Sequence, residues 1–278
     1  MAGTGFDKML RAVGPLVAMA AINGVASAAR KRGKFQFDWN GPDSGPFAGF
    51  GGASGVPLEQ FDMSGDPPRG VLLAGADRLV VTLGTEFAIA VQGDEDARAT
   101  LRFRMDDGVL HVASTNSSHG GEGVATITVT APALSKVTIA GAGRITVDAL
   151  AEDAEVVIAG AGRIKAQAVQ ADRLDVKIAG AGRFKAAGSA RQLNLSVAGS
   201  GRAKMDGLEV ESANVTIAGA GSAWFASDGA VKARLMGSGQ VTVFGAARCE
   251  VHGMGSGRLV CEPRRAPDAA ADEAADEA

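Results

Sequence analysis

Three observations predict that this chain is all-β, a single-chain parallel β-helix of ~18–20-residue coils with a β-rich N-terminal cap. First, Gly-x-Gly recurs at Gly141/Gly143, Gly160/Gly162, Gly180/Gly182, Gly199/Gly201, Gly219/Gly221, Gly237/Gly239 and Gly255/Gly257, with steps of 19, 20, 19, 20, 18 and 18 residues. Second, apolar residues alternate before and after each pair, which is the period of strands. Third, a unit of this size cannot bury enough apolar surface to fold alone. Stacking, with ~4.8 Å between paired backbones, gives it a shared core.

Along the chain, residues 1–32 read as a signal peptide or membrane anchor. Lys8 and Arg11 precede an apolar stretch over residues 12–29, and Ala26-Ser27-Ala28 offers a cleavage pattern. Arg30-Lys31-Arg32 directly afterwards oppose translocation, so anchoring through residues 12–29 is the alternative to cleavage. Residues 33–57 are Gly- and Pro-rich without a period, as a linker would be. Residues 58–134 alternate in Leu79–Leu83, Phe87–Val91 and Ala125–Val129, and a weaker copy of the motif stands at Ala74-Gly75-Ala76-Asp77-Arg78. They are expected to form the cap and first coils. Residues 135–262 form the regular repeats, and residues 263–278, rich in Ala with five carboxylates, an acidic disordered tail.

Within the repeats the alternation assigns an inward set. It comprises Val137, Ile139, Ile145, Val147 and Leu150 in the first unit, Val156, Ile158, Ile164, Ala166 and Val169 in the next, and so on to Val251, Leu259 and Cys261. Each Gly pair is placed where one strand bends into the next, because Gly accepts positive φ and close backbone approach. No helix follows any copy and no dinucleotide fingerprint is present, so the glycines are read as structural and no cofactor is expected.

The motifs also resemble a known family. Phe61-Asp62-Met63-Ser64-Gly65, the run around Val80–Thr82, Ile89–Glu95, Asp107–Val112 and Thr126–Pro132 lead into the repeated Ile/Val-Ala-Gly-Ala/Ser-Gly-Arg text. In this order they resemble the autotransporter adhesin head-domain family, called the GIN domain, over roughly residues 58–261. The resemblance implies an all-β domain of bacterial envelope proteins with no established catalytic residues.

The outward positions carry the candidate site. Arg144, Arg163, Arg183 and Arg202 follow successive Gly pairs, and two residues later on the same face stand Lys165, Lys185, Lys204 and finally Trp224. Stacking makes them a basic stripe, whose spaced guanidinium groups suit carboxylate, sulfate or phosphate on a polymer. The expected partners are anionic polysaccharide, lipopolysaccharide or an anionic membrane surface. The plainer role is a surface that resists aggregation and covers an apolar wall with long stems. A net charge of -3 does not fit a chain that coats nucleic acid, and none is expected as a partner.

Catalytic and metal residues are not assigned. No carboxylate pair is read on the basic face, His252 stands alone, His111 and His119 lie in the irregular half, and Asp106-Asp107-Gly108 reads as a turn. Cys249 and Cys261 fall in inward columns as small core residues, with a disulfide open to them if the protein is exported. These features favour a non-enzymatic, exported protein of the periplasm or outer envelope that binds or scaffolds. The alternatives are a glycan-active β-helix enzyme, with its site in residues 58–134, and a self-associating, bactofilin-like polymer.

Overall fold

A computed structural model describes residues 55–114 and 124–263. The segment assigned as signal or anchor, nearly all of the linker, His119 and the tail beyond Pro263 lie outside the described residues. The fold is the parallel β-helix that the repeat predicts.

Its first turn is β1 (Gly70–Gly75) and β2 (Arg78–Leu83). The chain then leaves the helix through β3 (Ala88–Gln92), the short helix α1 (Glu95–Thr100) and β4 (Leu101–Asp106). It re-enters with β5 (Val109–Ser114) and β6 (Thr126–Ala131), and the regular coils follow. These are β7 (Leu134–Gly141), β8 (Arg144–Gly160), β9 (Arg163–Gly180), β10 (Arg183–Gly199), β11 (Arg202–Gly219) and β12 (Ser222–Gly237). The last turn comprises β13 (Gln240–Phe244), β14 (Arg248–Met254) and β15 (Arg258–Glu262).

Spatial order departs from chain order at the N-terminal end. β1 is paired in parallel with β5 on one edge and β7 on the other, and β2 likewise lies between β6 and β8. The first turn in sequence is therefore the second in space, with β5 and β6 outside it. β3 and β4 close that end antiparallel, on β6 and β5 respectively. Val56 bridges Phe103, and the Phe61 ring packs against Phe87 and Phe103 at 6.5 and 6.1 Å. This end of the core is sealed.

From β7 onward each coil has three sides. The first leads into the Gly pair, the second leaves it, and the third returns to the next coil. The pairs stack in register, Gly141 on Gly160, Gly160 on Gly180 and Gly180 on Gly199. Gly180 has φ +109°, and a Cβ there would stand 2.6 Å from the Gly160 carbonyl oxygen. Gly221, the second member of its pair, is excluded from bearing a side chain for another reason: a Cβ would stand 2.6 Å from Val197 Cγ1. The first glycine turns the backbone and the second makes room for the core.

The inward columns assigned from the alternation are buried through Val243. Two adjacent columns on the second side share their volume. Phe184 is followed by Ala186, Ala203 by Met205, and Ala223 by Phe225, so a large residue in one column meets a small one in the other. The third side and the start of the first add core beyond that set: Ala171, Ala190 and Val210 in one column, and Ala154, Leu174, Leu193, Ala213 and Val231 in another. Register shifts at Leu150/Asp153, Ala186/Gly188 and Met205/Glu209 break the period of two between the second side and the next first side.

The last turn corrects one expectation. Cys249 stacks on Val231 and Cys261 on Val243, as inward residues, but both are exposed and joined by a disulfide across the open end of the core. Val251 is 50% exposed and Leu259 partly so, because no further coil covers them among the described residues. At the other end Asp77 takes the place of the second glycine in the first corner. It is buried and accepts a hydrogen bond from Ala125 N–H at 3.1 Å. Burial raises its carboxyl above the ordinary 3.8, and the Ala125 bond only partly opposes this.

Gly180→Ala should lower stability by about 1–3 kcal/mol from φ alone, and Gly65→Ala, with nothing within 4 Å of its Cβ, by under about 0.5 kcal/mol; urea unfolding checks both. Because the folded-state carboxyl titrates above 3.8, the stability linked to Asp77 is present below that pH and is lost as pH rises through the raised value. Asp77→Asn, which keeps an acceptor for Ala125, should remove this loss, read as the difference in unfolding midpoint between the two proteins across that range. A bridge spanning 12 residues constrains the last coil by about 3 kcal/mol. Reducing it should therefore speed hydrogen exchange in β14 by on the order of 100-fold, leaving β9 to β11 protected.

Candidate functional site

The second side carries all eight residues singled out in the sequence. Backbone register stacks Arg144 on Arg163, Arg163 on Arg183 and Arg183 on Arg202, followed by Ser222 and Gln240. In the neighbouring column Lys165, Lys185, Lys204 and Trp224 stack in the same order, preceded by Thr146. Alternation turns both columns outward, and Ile145, Ile164 and Phe184 between them are buried. Trp224 is half-buried rather than fully exposed, lying directly over Lys204.

One residue of the ladder was missed. Arg78 stacks on Arg144 and lengthens the arginine column to five. Its signal was present in Ala74-Gly75-Ala76-Asp77-Arg78, where Asp replaces the second Gly of the motif. Successive guanidinium groups hang from backbones ~4.8 Å apart. Among the described residues no ion pair joins Arg144, Arg163, Arg183 or Arg202 to a carboxylate. At such spacing each like-charged neighbour costs up to about 1 kcal/mol in water and less in salt, a strain that an anion would relieve.

Carboxylates border this side at the next outward position of β8 and β11, where β9 and β10 carry Gln167 and Ala187. Asp148 accepts Gln167 Nε2 at 3.0 Å and Leu83 N–H at 3.3 Å, and Asp206 lies 3.8 Å from Lys204 Nζ.

The other two sides differ in charge. On the first side cations, carboxylates and amides are mixed along the stack. Glu155 meets Lys177 Nζ at 2.6 Å and Lys136 Nζ at 3.9 Å, while Asn194 donates to Asp175 at 2.7 Å and Asn214 to Asn194 at 3.2 Å. The third side holds an open groove of about 670 Å³, lined by Glu152, Asp172, Glu209, Glu211 and Asp228 together with Arg191. Within it Asp172 pairs with Arg191 at 3.3 Å, and Asp228 accepts Ala246 N–H at 2.8 Å. The sequence showed these acids but not the groove, which forms only where the third sides stack.

The histidines lie apart from both features. His111 is opposite Arg104 across the β4–β5 pair, and burial, with Arg104 and Lys136 nearby, holds it below its ordinary value against the pull of Asp106. His252 contacts Glu250 at 2.8 Å on the exposed last turn. Among the described residues no group of three or more His, Cys, Asp or Glu side chains is arranged to hold a metal, and no helix is long and apolar enough to cross a membrane.

Residues 67–247 match the family model described as "Putative auto-transporter adhesin, head GIN domain". Among solved structures the fold is similar to that of a "putative adhesin" from Bacteroides fragilis, at 17% identity and TM-score 0.60 over 72% of this chain and 92% of that one. It is similar also to a "putative lipid binding protein" from Parabacteroides distasonis (18%, 0.56, 72% and 94%) and a "putative adhesin" from Parabacteroides merdae (19%, 0.55, 72% and 93%). No curated protein matches. At such identities the likeness to the solved structures is one of fold. The family match spans well over half of the 278 residues, and the chain belongs to the auto-transporter adhesin head GIN domain family.

Proposed function

We propose that this protein is a non-enzymatic binding module of the bacterial cell envelope that holds anionic polymers or anionic lipid surfaces on its arginine ladder. The observation that carries this reading is the column Arg78, Arg144, Arg163, Arg183 and Arg202, five guanidinium groups in one register. A repeating array of planar, permanently charged donors matches a repeating array of carboxylate, sulfate or phosphate groups. Trp224 at one end of the lysine column offers an aromatic face to a sugar ring or an acyl-chain boundary. Three things support placement outside the cytoplasm: the Cys249–Cys261 disulfide, which suits an oxidising compartment, the family's description, and the signal-like N-terminus. Lipid is among the ligands considered because one structural neighbour is described as lipid binding.

A glycan-active reading draws on one feature, the carboxylate-lined groove of the third side. A reducing-end assay on neutral and acidic glycans tests it. Turnover lost in Glu209→Gln or Glu211→Gln would replace the binding reading.

For the ladder, the test measures binding of the full chain to polygalacturonate, heparin, lipopolysaccharide and phosphatidylglycerol vesicles. Each exposed ion pair contributes about 0.2–1 kcal/mol, so Arg163→Glu with Arg183→Glu, which turns two attractions into repulsions, should weaken binding about tenfold. Lys232→Glu with Arg234→Glu, on the first side, should leave it unchanged. Equal binding by wild type and the ladder variant on all four ligands would reduce the ladder to a solvated surface.

A further inference from the structure

The two ends of the β-helix are unequal. At the N-terminal end the antiparallel strands β3 and β4, Val56 and the Phe61–Phe87–Phe103 cluster cover the core. At the C-terminal end β14 is paired only with β12 and β15 only with β13, so among the described residues their outer edges carry backbone groups that no strand meets. The inward column there is uncovered: Val251 is 50% exposed, whereas Ala233 directly beneath it is fully buried. Met254 is 79% exposed.

We propose that this end is a homodimer interface in which β14 of one copy pairs antiparallel with β14 of a second copy, about a two-fold axis at Val251. The occupant is identified by self-complementarity. Reversing Arg248–Met254 on itself about Val251 sets Glu250 opposite the partner's His252 and, by symmetry, His252 opposite the partner's Glu250. In one copy these two side chains already attract each other at 2.8 Å on the outer face, so the pairing doubles a contact whose chemistry suits both. On the inward face Val251 meets its own symmetry mate and extends the core across the junction. Cys249, with its disulfide, faces the partner's Gly253, where even an added Cβ would meet nothing closer than 3.7 Å. Val251, the Glu250–His252 pair and the bridged Cys249 thus each find a suitable opposite at one register, and Arg248 lies opposite the partner's Met254.

Among the described residues only the C-terminal end leaves its core uncovered, so the assembly closes as a pair; a head-to-tail filament would have to stack on the end where β3, β4 and the Phe61–Phe87–Phe103 cluster already cover the core. The inference does not rest on the arginine ladder, which runs along the second side and remains accessible in the pair.

Sedimentation of the full chain tests it. A dimer in the micromolar range is expected, because a single end-to-end strand pairing is a small interface. Val251→Asp should yield monomer at concentrations where the wild type is paired, with an unchanged far-ultraviolet spectrum. Glu250→Lys should weaken pairing at least tenfold. The double variant Glu250→Lys with His252→Glu, which sets opposite charges face to face, should restore it. A full chain that stays monomeric at 100-fold higher concentration overturns the proposal. So does a dimer indifferent to Val251→Asp, or pairing that appears only after removal of residues 264–278, which would mark that segment as the cover of this end.

Discussion

The whole structure depends on corner stacking. Each coil turns at a glycine whose carbonyl oxygen accepts an N–H from the corner above: Ala181 N–H donates to Gly160 O at 2.9 Å, and Arg183 N–H to Gly162 O at 2.9 Å. A side chain at either glycine would separate the two backbones or displace the core residue behind them. Because each corner repeats on the one below, every residue a fixed number of positions from it joins a column. Core, charge and shape are all inherited from that alignment.

Alignment has an electrostatic consequence. In a globular domain, five arginines with 19 to 66 residues between successive members would be scattered; here they form one line. The same rule that collects the cations on the second side collects carboxylates on the third, while the first side neutralises itself through Lys136, Glu155 and Lys177. A nearly neutral chain thereby presents one basic and one acidic surface. Anions have a reason to approach from one direction only.

The core follows a different logic. Stacked columns tolerate a change of volume only if the same coil compensates, as Phe184 and Ala186 do, and Ala223 and Phe225 in the opposite sense. Among the described residues no neighbour buries the last coil, and a disulfide spans its open end. Covalent closure there, and antiparallel strands at the other end, are two answers to the same difficulty of terminating a repeat.

By itself the sequence determined the period, the corner positions, the inward set on two sides and the basic columns, since each depends only on spacing within a repeat and an alternation of two. Tertiary structure alone decided what depends on contacts between distant segments. Those are the insertion of β1 and β2 between β5–β6 and β7–β8, the core columns beyond the bulges, the carboxylate groove and the extension of the ladder to Arg78. It also decided that Cys249 and Cys261 lie exposed and bridged, because burial at the end of a stack depends on whether another coil follows, not on the residue's place within its own.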